Sequence, residues 1–127
     1  MASSAGASIL IVEDEAELRN LFALILEMEG FTVLQAADGQ KGLEILTSHP
    51  GPIRMVITDL NLPKVGGMDL INQARKLNPA VKIVGTSGMS GDKVREMVMR
   101  AGADDFIPKP FQAQDAIRKL KAILDQP

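Results

Sequence analysis

Acidic, hydroxyl and basic residues follow the short apolar runs of this 127-residue sequence. Glu13 and Asp14 follow the first run, Asp59 the third and Ser87 the fourth, and Lys109 comes shortly after the fifth. Carboxylate oxygens, together with water and backbone carbonyls, are hard ligands that suit Mg²⁺, and Mg²⁺ also takes up phosphate oxygens. If the fold brings these five side chains together, they predict a magnesium site at which phosphate can bind.

Each of these residues also has a purely structural explanation. Asp14 with Glu17 matches a helix capping box, Asp59 begins a loop rich in Pro and Gly, and Ser87 is at home in a turn. Two like charges 4 Å apart cost about 4 kcal/mol at an effective dielectric constant near 20. Three clustered carboxylates therefore need a divalent cation and a lysine, and the joint presence of all these groups at strand ends favours the functional explanation.

Apolar runs alternate with helix-like patterns along the whole sequence, and together they predict five strands, each followed by a helix. Apolar residues at helical spacing, including Leu21 with Phe22 and Met97 with Val98, predict the inner faces of the helices. Short connections between the elements imply a parallel sheet with helices on both faces. The strands are expected at residues 8–12, 31–35, 53–58, 81–86 and 105–107.

The working site of such a doubly wound sheet lies beyond the carboxyl ends of its strands, where the strand order reverses. We expect the first, third and fourth strands to be neighbours there. Glu13, Asp14, Asp59, Ser87 and Lys109 are therefore predicted to converge at one edge of the sheet.

The composition narrows the class of protein. With 14 Lys and Arg against 16 Asp and Glu, the formal net charge is −2, which argues against direct binding of nucleic acid because that needs a basic excess. The absence of Cys excludes disulfides, thiolate metal sites and cysteine catalysis. No apolar run approaches the roughly 18 residues of a membrane span, and no signal peptide is recognisable. We expect one domain over residues 8–127, a flexible tail over residues 1–7, and a cytoplasmic location.

In this arrangement the sequence resembles the receiver domain of bacterial two-component response regulators. The resemblance extends over residues 8–124 and implies a flavodoxin-like (βα)5 fold, a doubly wound five-stranded parallel sheet with strand order 2-1-3-4-5. It rests on Glu13-Asp14 after an aliphatic strand, the stretches 59–63 and 67–70, Ser87-Gly88, the stretch 101–106, and Lys109-Pro110-Phe111.

The resemblance implies a role for each residue of the predicted site. Asp59 would accept a phosphoryl group from a phosphohistidine and form an acyl phosphate. Asp14, Asp59 and the backbone carbonyl of Asn61 would bind Mg²⁺, or Mn²⁺ as a substitute, and Glu13 would hold a metal-bound water. Lys109 would pair with the phosphoryl oxygens, so the domain would assist its own phosphorylation and dephosphorylation without being an enzyme in the ordinary sense.

The resemblance also implies a switch. Ser87 would be the switch hydroxyl and Phe106 the switch aromatic, and the Lys109-Pro110 peptide bond would be cis. The signal would be read on the face formed by the fourth helix, the fifth strand and the fifth helix. The implied partners are a histidine kinase or histidine phosphotransfer protein on the donor side, and a downstream protein or a second copy of the chain on that face.

Other functions are compatible with the same architecture. A haloacid-dehalogenase-like Mg²⁺-dependent phosphatase also uses an aspartyl nucleophile. It needs a second acid, two residues later, to act on the leaving group, and this chain has Asn61 at that position. A flavodoxin-like FMN carrier needs a hydroxyl-rich phosphate-binding loop at the position where this chain has Glu13-Asp14-Glu15. A P-loop nucleotidase is excluded because this sequence lacks the Gly-rich P-loop motif. A pseudo-receiver that acts only by docking is the remaining alternative.

Overall fold

Five strands alternate with five helices in the computed structural model, which describes residues 8–48, 53–62, 64–89 and 91–125. The tail predicted over residues 1–7 lies outside these ranges. In chain order the elements are β1 (Ser8–Val12), α1 (Ala16–Met28), β2 (Thr32–Ala36), α2 (Gly39–Ser48), β3 (Ile53–Asp59), α3 (Gly67–Leu77), β4 (Lys82–Ser87), α4 (Asp92–Ala101), β5 (Asp105–Pro108) and α5 (Ala113–Leu124).

The strands form one parallel sheet in the order β2-β1-β3-β4-β5, which confirms the predicted fold. The central strands β1 and β3 are mostly apolar and almost entirely buried because both of their faces are covered. The edge strand β2 is more exposed and more polar. Gly30, with a φ of 99°, adopts the left-handed conformation that ends α1 and turns the chain toward β2.

Alternate side chains of each central strand enter separate halves of the core. Ile9 and Ile11 of β1 pack with α1 and α5, whereas Leu10 and Val12 pack with α2, α3 and α4. Among the described residues, no helix is long and apolar enough to span a membrane. The two halves together hold the strand ends in fixed relative positions.

Three of the helical positions predicted to face inward are wrong, and one of them, Leu77 at the end of α3, is 46% exposed. Leu21 of α1 is 53% exposed and Met97 of α4 is 57% exposed, whereas their neighbours Phe22 and Val98 are buried. Consecutive residues of a helix point about 100° apart, and the buried stripe of α1 is formed by Phe22, Ala23 and Leu26, so Leu21 lies outside it.

Arg75 of α3 joins several segments at the amino-terminal edge of the sheet. Its Nε and Nη2 donate to the carbonyl oxygen of Gly102 at 3.1 and 2.9 Å, and its Nη1 donates to those of Pro79 and Val81 at 2.9 and 2.6 Å. Nη2 also donates to Asp104 Oδ2 at 2.8 Å. One guanidinium thus links α3 to the loop before β4, the end of α4 and the loop before β5.

We expect Arg75→Met to lower the free energy of unfolding by about 2–3 kcal/mol, because it leaves the partly buried carbonyl groups of Gly102 and Val81 without their donor. Urea unfolding followed by far-ultraviolet circular dichroism measures the loss. Arg100→Met is the control, since the described ion pair of Arg100, with Glu96, lies on the exposed surface of α4. This substitution should change stability by less than about 0.5 kcal/mol. Equal losses for the two variants would contradict the role given to Arg75.

Candidate functional site

The register of the sheet brings the predicted residues to one level. Val12 pairs with Thr58, and Asp59 pairs with Thr86, so Glu13 and Asp59 extend from the carboxyl ends of adjacent strands at nearly the same height. Ser87 pairs with Pro108, which places Lys109 one residue beyond the end of β5. The polar residues at the ends of β1, β3 and β4 and in the loop after β5 therefore lie together at the carboxyl-terminal edge of the sheet.

Three acids form a cluster at this edge. Glu13, Asp14 and Asp59 each offer a carboxylate oxygen, and these oxygens lie within 4.8 Å of one another. Glu13 and Asp59 are buried, at 5% and 6% exposure, while Asp14 is exposed and leaves the cluster open to solvent on one side. A set of hard oxygen donors at this spacing fits a divalent cation such as Mg²⁺.

Lys109 lies between two of the acids. Its Nζ donates to Glu13 Oε1 at 2.7 Å and to Asp59 Oδ2 at 3.0 Å. Its backbone N–H donates to the carbonyl oxygen of Ser87 at 2.7 Å, and the Lys109-Pro110 peptide bond is cis. The ammonium group is therefore placed to neutralise negative charge that arises at Asp59.

The site perturbs the titration of its members. Burial raises the pKa of the Glu13 carboxyl and the charge of Asp59 adds to the rise, against hydrogen bonds from Lys109 and the Glu15 N–H that lower it. Burial acts to lower the pKa of Lys109, but its hydrogen bonds to Glu13 and Asp59 and their negative charges outweigh burial, so this pKa is raised. Lys109 is therefore held as a cation at neutral pH.

The loop after β3 fixes the Asp59 carboxylate from the other side. The Asn61 N–H donates to Asp59 Oδ1 at 3.1 Å, so both oxygens of Asp59 accept hydrogen bonds. The loop closes where the N–H of Gly67 donates to the carbonyl oxygen of Leu60 at 3.1 Å. The approach is so tight that a Cβ at Gly67 would lie 2.2 Å from the carbonyl oxygen of Asp59.

Gly67→Ala should therefore move the backbone that carries Asp59, with a loss of about 3 kcal/mol in unfolding free energy because rigid main chain must yield. Urea unfolding measures the loss. Gly66→Ala is the matched control, since a Cβ there has no atom within 4 Å and the backbone is extended, with a φ of −67°. A change below about 1 kcal/mol is expected for it, and the same loss at both positions would refute the steric explanation.

The two residues predicted for the switch are buried. Ser87 is 0% exposed, and its Oγ accepts a hydrogen bond from the N–H of Met89 at 3.0 Å. Phe106 packs in the half of the core that contains Val98 of α4. Thr86, the neighbour of Ser87, lines a small cavity on the α1 and α5 side, so the two hydroxyls of β4 face opposite sides of the sheet.

Sequence reasoning missed Arg19, which contacts the site, and gave Gly67 of the motif at 67–70 no contact there. Arg19 Nη1 donates to the carbonyl oxygen of Glu13 at 2.8 Å. The available signal was a cation in the first turns of a helix, where the helix dipole disfavours positive charge and a specific partner is needed.

Comparison with known proteins gives one consistent family. The chain matches the response regulator receiver domain family over residues 9–121. The alkaline phosphatase synthesis transcriptional regulatory protein SphR of Synechococcus elongatus is 36% identical over 130 residues, which cover 97% of this chain and 51% of SphR. The transcriptional regulatory protein CpxR of Escherichia coli is 36% identical over 117 residues, 91% of this chain and 48% of CpxR. The chain thus spans about half the length of these curated relatives.

A solved structure agrees with these relatives. The CheY-like response regulator receiver domain protein from Methanospirillum hungatei superposes with a TM-score of 0.87 at 31% identity, and the match covers 95% of each chain. The similarity therefore extends over the whole sheet and the edge that carries the acids.

Proposed function

Because this chain belongs to the response regulator receiver domain family, we propose that it is a phosphorylation-controlled switch with Asp59 as its phosphoacceptor. The observation that carries the proposal is the contact of Lys109 Nζ with both Glu13 and Asp59 inside a cluster of three acids. This is the arrangement that an aspartyl phosphate needs, with a nucleophilic carboxylate, a fixed cation and oxygen ligands for a metal.

The chemistry follows from the groups around Asp59. A carboxylate oxygen attacks the phosphorus of a phosphohistidine, the phosphorus–nitrogen bond breaks, and its electron pair leaves with the imidazole. Lys109 balances the negative charge on the peripheral phosphoryl oxygens, and the Asn61 N–H orients the carboxylate. Later attack by water on phosphorus returns free Asp59 and inorganic phosphate.

Glu13, Asp14, Asp59 and the backbone carbonyl of Asn61 would hold the metal. Mg²⁺, or Mn²⁺ in its place, supplies positive charge to the phosphoryl oxygens when it is bound. The donor set is all oxygen and partly open to solvent, which suits a hard cation that keeps some of its waters.

The proposed signal passes from the phosphoryl group to the α4-β5-α5 face. The added charge attracts the Ser87 hydroxyl and Lys109, and the resulting shift of β4 and β5 changes the space available to Phe106. Arg95 of α4 already contacts β5, because it donates to Asp105 Oδ1 at 2.8 Å and to the carbonyl oxygen of Phe106 at 3.4 Å. A movement of Phe106 would therefore reach the surface through α4.

The proposed partners follow from this scheme. A histidine kinase or a histidine phosphotransfer protein supplies the phosphoryl group, in the cytoplasm, and a protein target or a second copy of the chain binds the α4-β5-α5 face. SphR and CpxR are named transcriptional regulators, and this chain spans about half their length. The net charge of this chain is −2, without the basic excess that DNA binding needs. We therefore propose that this chain acts through protein contacts and not by binding DNA.

The alternatives fit the site less well. A haloacid-dehalogenase-like phosphatase needs an acid to protonate the leaving group, and residue 61 is an amide, Asn61. A pseudo-receiver would not need Lys109 in contact with two buried acids, an arrangement that costs desolvation energy.

Labelling with a small phosphodonor tests the proposal. The chain is incubated with acetyl phosphate or phosphoramidate, with Mg²⁺ or with a chelator, and its intact mass is measured. We expect the mass of one phosphoryl group to be added only when the metal is present. A chain that gains no mass at any Mg²⁺ concentration, or gains it equally in chelator, would contradict the proposed function.

A further inference from the structure

The main chain next to the acidic cluster is held by groups that the proposed phosphoryl chemistry does not use. The Glu13 N–H donates to the carbonyl oxygen of Ala36 at 3.0 Å, and the Glu13 carbonyl oxygen accepts from Arg19 Nη1 at 2.8 Å. Arg19 Nε donates in turn to Gln35 Oε1 at 3.2 Å. Gln35 and Ala36 are the last residues of β2, so an edge strand that supplies no acid holds the backbone of the acids.

The charge of Arg19 does not explain its position. A cation in the first turns of α1 opposes the helix dipole, and the described hydrogen bonds of Arg19 go to a carbonyl and an amide oxygen, not to a carboxylate. The guanidinium instead fixes relative positions, because its planar group directs two N–H groups at two acceptors, the Glu13 carbonyl oxygen and Gln35 Oε1. One of these acceptors is the peptide group that links Glu13 to Asp14.

We propose that Arg19, supported by Gln35, is a positioning residue that raises the affinity of the acidic cluster for a divalent metal ion; this inference rests on the function proposed above. Asp14 is exposed, so its direction depends on its backbone more than on side-chain packing. By holding the Glu13 carbonyl, Arg19 fixes the peptide plane from which Asp14 projects. Partners of this kind, one shell removed from a metal, typically change metal affinity by about 10–100-fold.

Calorimetric titration with Mg²⁺ tests the proposal on the full chain. Arg19→Met should raise the dissociation constant at least about tenfold, and Gln35→Ala should raise it less, in the same direction. The double variant should be no weaker than Arg19→Met alone, because Gln35 acts through Arg19. Arg100→Met, which removes the same charge from the exposed surface of α4, is the control and should leave the affinity unchanged.

The sign of the effect separates position from charge. If Arg19 acted through its charge, Arg19→Met would bind Mg²⁺ more tightly than the parent chain, and that result or an unchanged affinity would overturn the proposal. Circular dichroism checks that each variant is folded, and Gln35→Ala, which keeps the charge of Arg19, decides the question if Arg19→Met does not fold. A parent chain that takes up no Mg²⁺ would instead overturn the proposed function, and this inference with it.

Discussion

Asp59→Asn should abolish the addition of a phosphoryl group from acetyl phosphate, at any concentration of Mg²⁺. The amide lacks the nucleophilic oxygen, but it matches the carboxylate in shape, and its Oδ1 can still accept the hydrogen bond from the Asn61 N–H. Lys109 keeps Glu13 as a partner. The variant is therefore expected to stay folded, so loss of label cannot be ascribed to unfolding.

Intact-mass measurement and a thermal melt on the same samples check this result. Asp69→Asn is the matched control, because Asp69 is an exposed acid in the first turn of α3, a short distance along the chain from Asp59. It should be labelled like the parent. Label that persists in Asp59→Asn would assign the phosphoacceptor to another residue.

Lys109→Met should lower the free energy of unfolding by about 2–3 kcal/mol at pH 7 in the absence of divalent metal, since two buried carboxylates lose their cation. That magnitude allows for the side chain of Lys109 being 21% exposed, which lets water screen part of the charge. Mg²⁺ should recover part of the loss and should stabilise the variant more than the parent, because the acids then have no competing ammonium group.

The loss should depend on pH in a defined direction. The pKa of Lys109 is raised in the folded chain, so its stabilising effect is complete below its ordinary value of 10.5 and disappears as pH rises through the folded value. At the acidic end, protonation of Glu13, whose pKa is raised by burial, removes the repulsion that Lys109 relieves. The difference in stability between parent and variant should therefore be largest near neutral pH and shrink toward about pH 4.

Urea unfolding at pH 4 and pH 7, with chelator and with Mg²⁺, measures both effects. Lys64→Met serves as the control, because the side chain of Lys64 is 63% exposed and its described ion pair, with Asp38, is long at 3.6 Å. The change in stability should stay below about 1 kcal/mol. A loss in Lys109→Met that is the same at both pH values would mean that Lys109 stabilises the fold by something other than its charge.

Much of this protein was determined by its sequence alone. Alternating apolar runs and helical patterns predicted ten elements and a parallel sheet. This is possible because the burial of one or both faces of a helix or strand imposes a regular spacing on its apolar residues, and that spacing is visible in the local sequence. The acids at the carboxyl ends of β1 and β3 and the lysine after β5 were also identifiable, since parallel strands place their carboxyl ends at one edge. Glu13, Asp59 and Lys109 meet there, within hydrogen-bonding distance.

Only the tertiary structure decided which groups hold that site in place. The bond from Arg19 to the Glu13 carbonyl and the approach of Gly67 to the Asp59 carbonyl both end on main-chain oxygens. Every residue carries such an oxygen, so the residue types Arg19 and Gly67 do not show which oxygen each of them meets. The exposure of Leu21 beside buried Phe22 was likewise undecided until the angle of α1 against the sheet was known. The residue types indicate which side chains are buried and which can do chemistry. The distances between backbone segments that are far apart in sequence are set only when the chain packs.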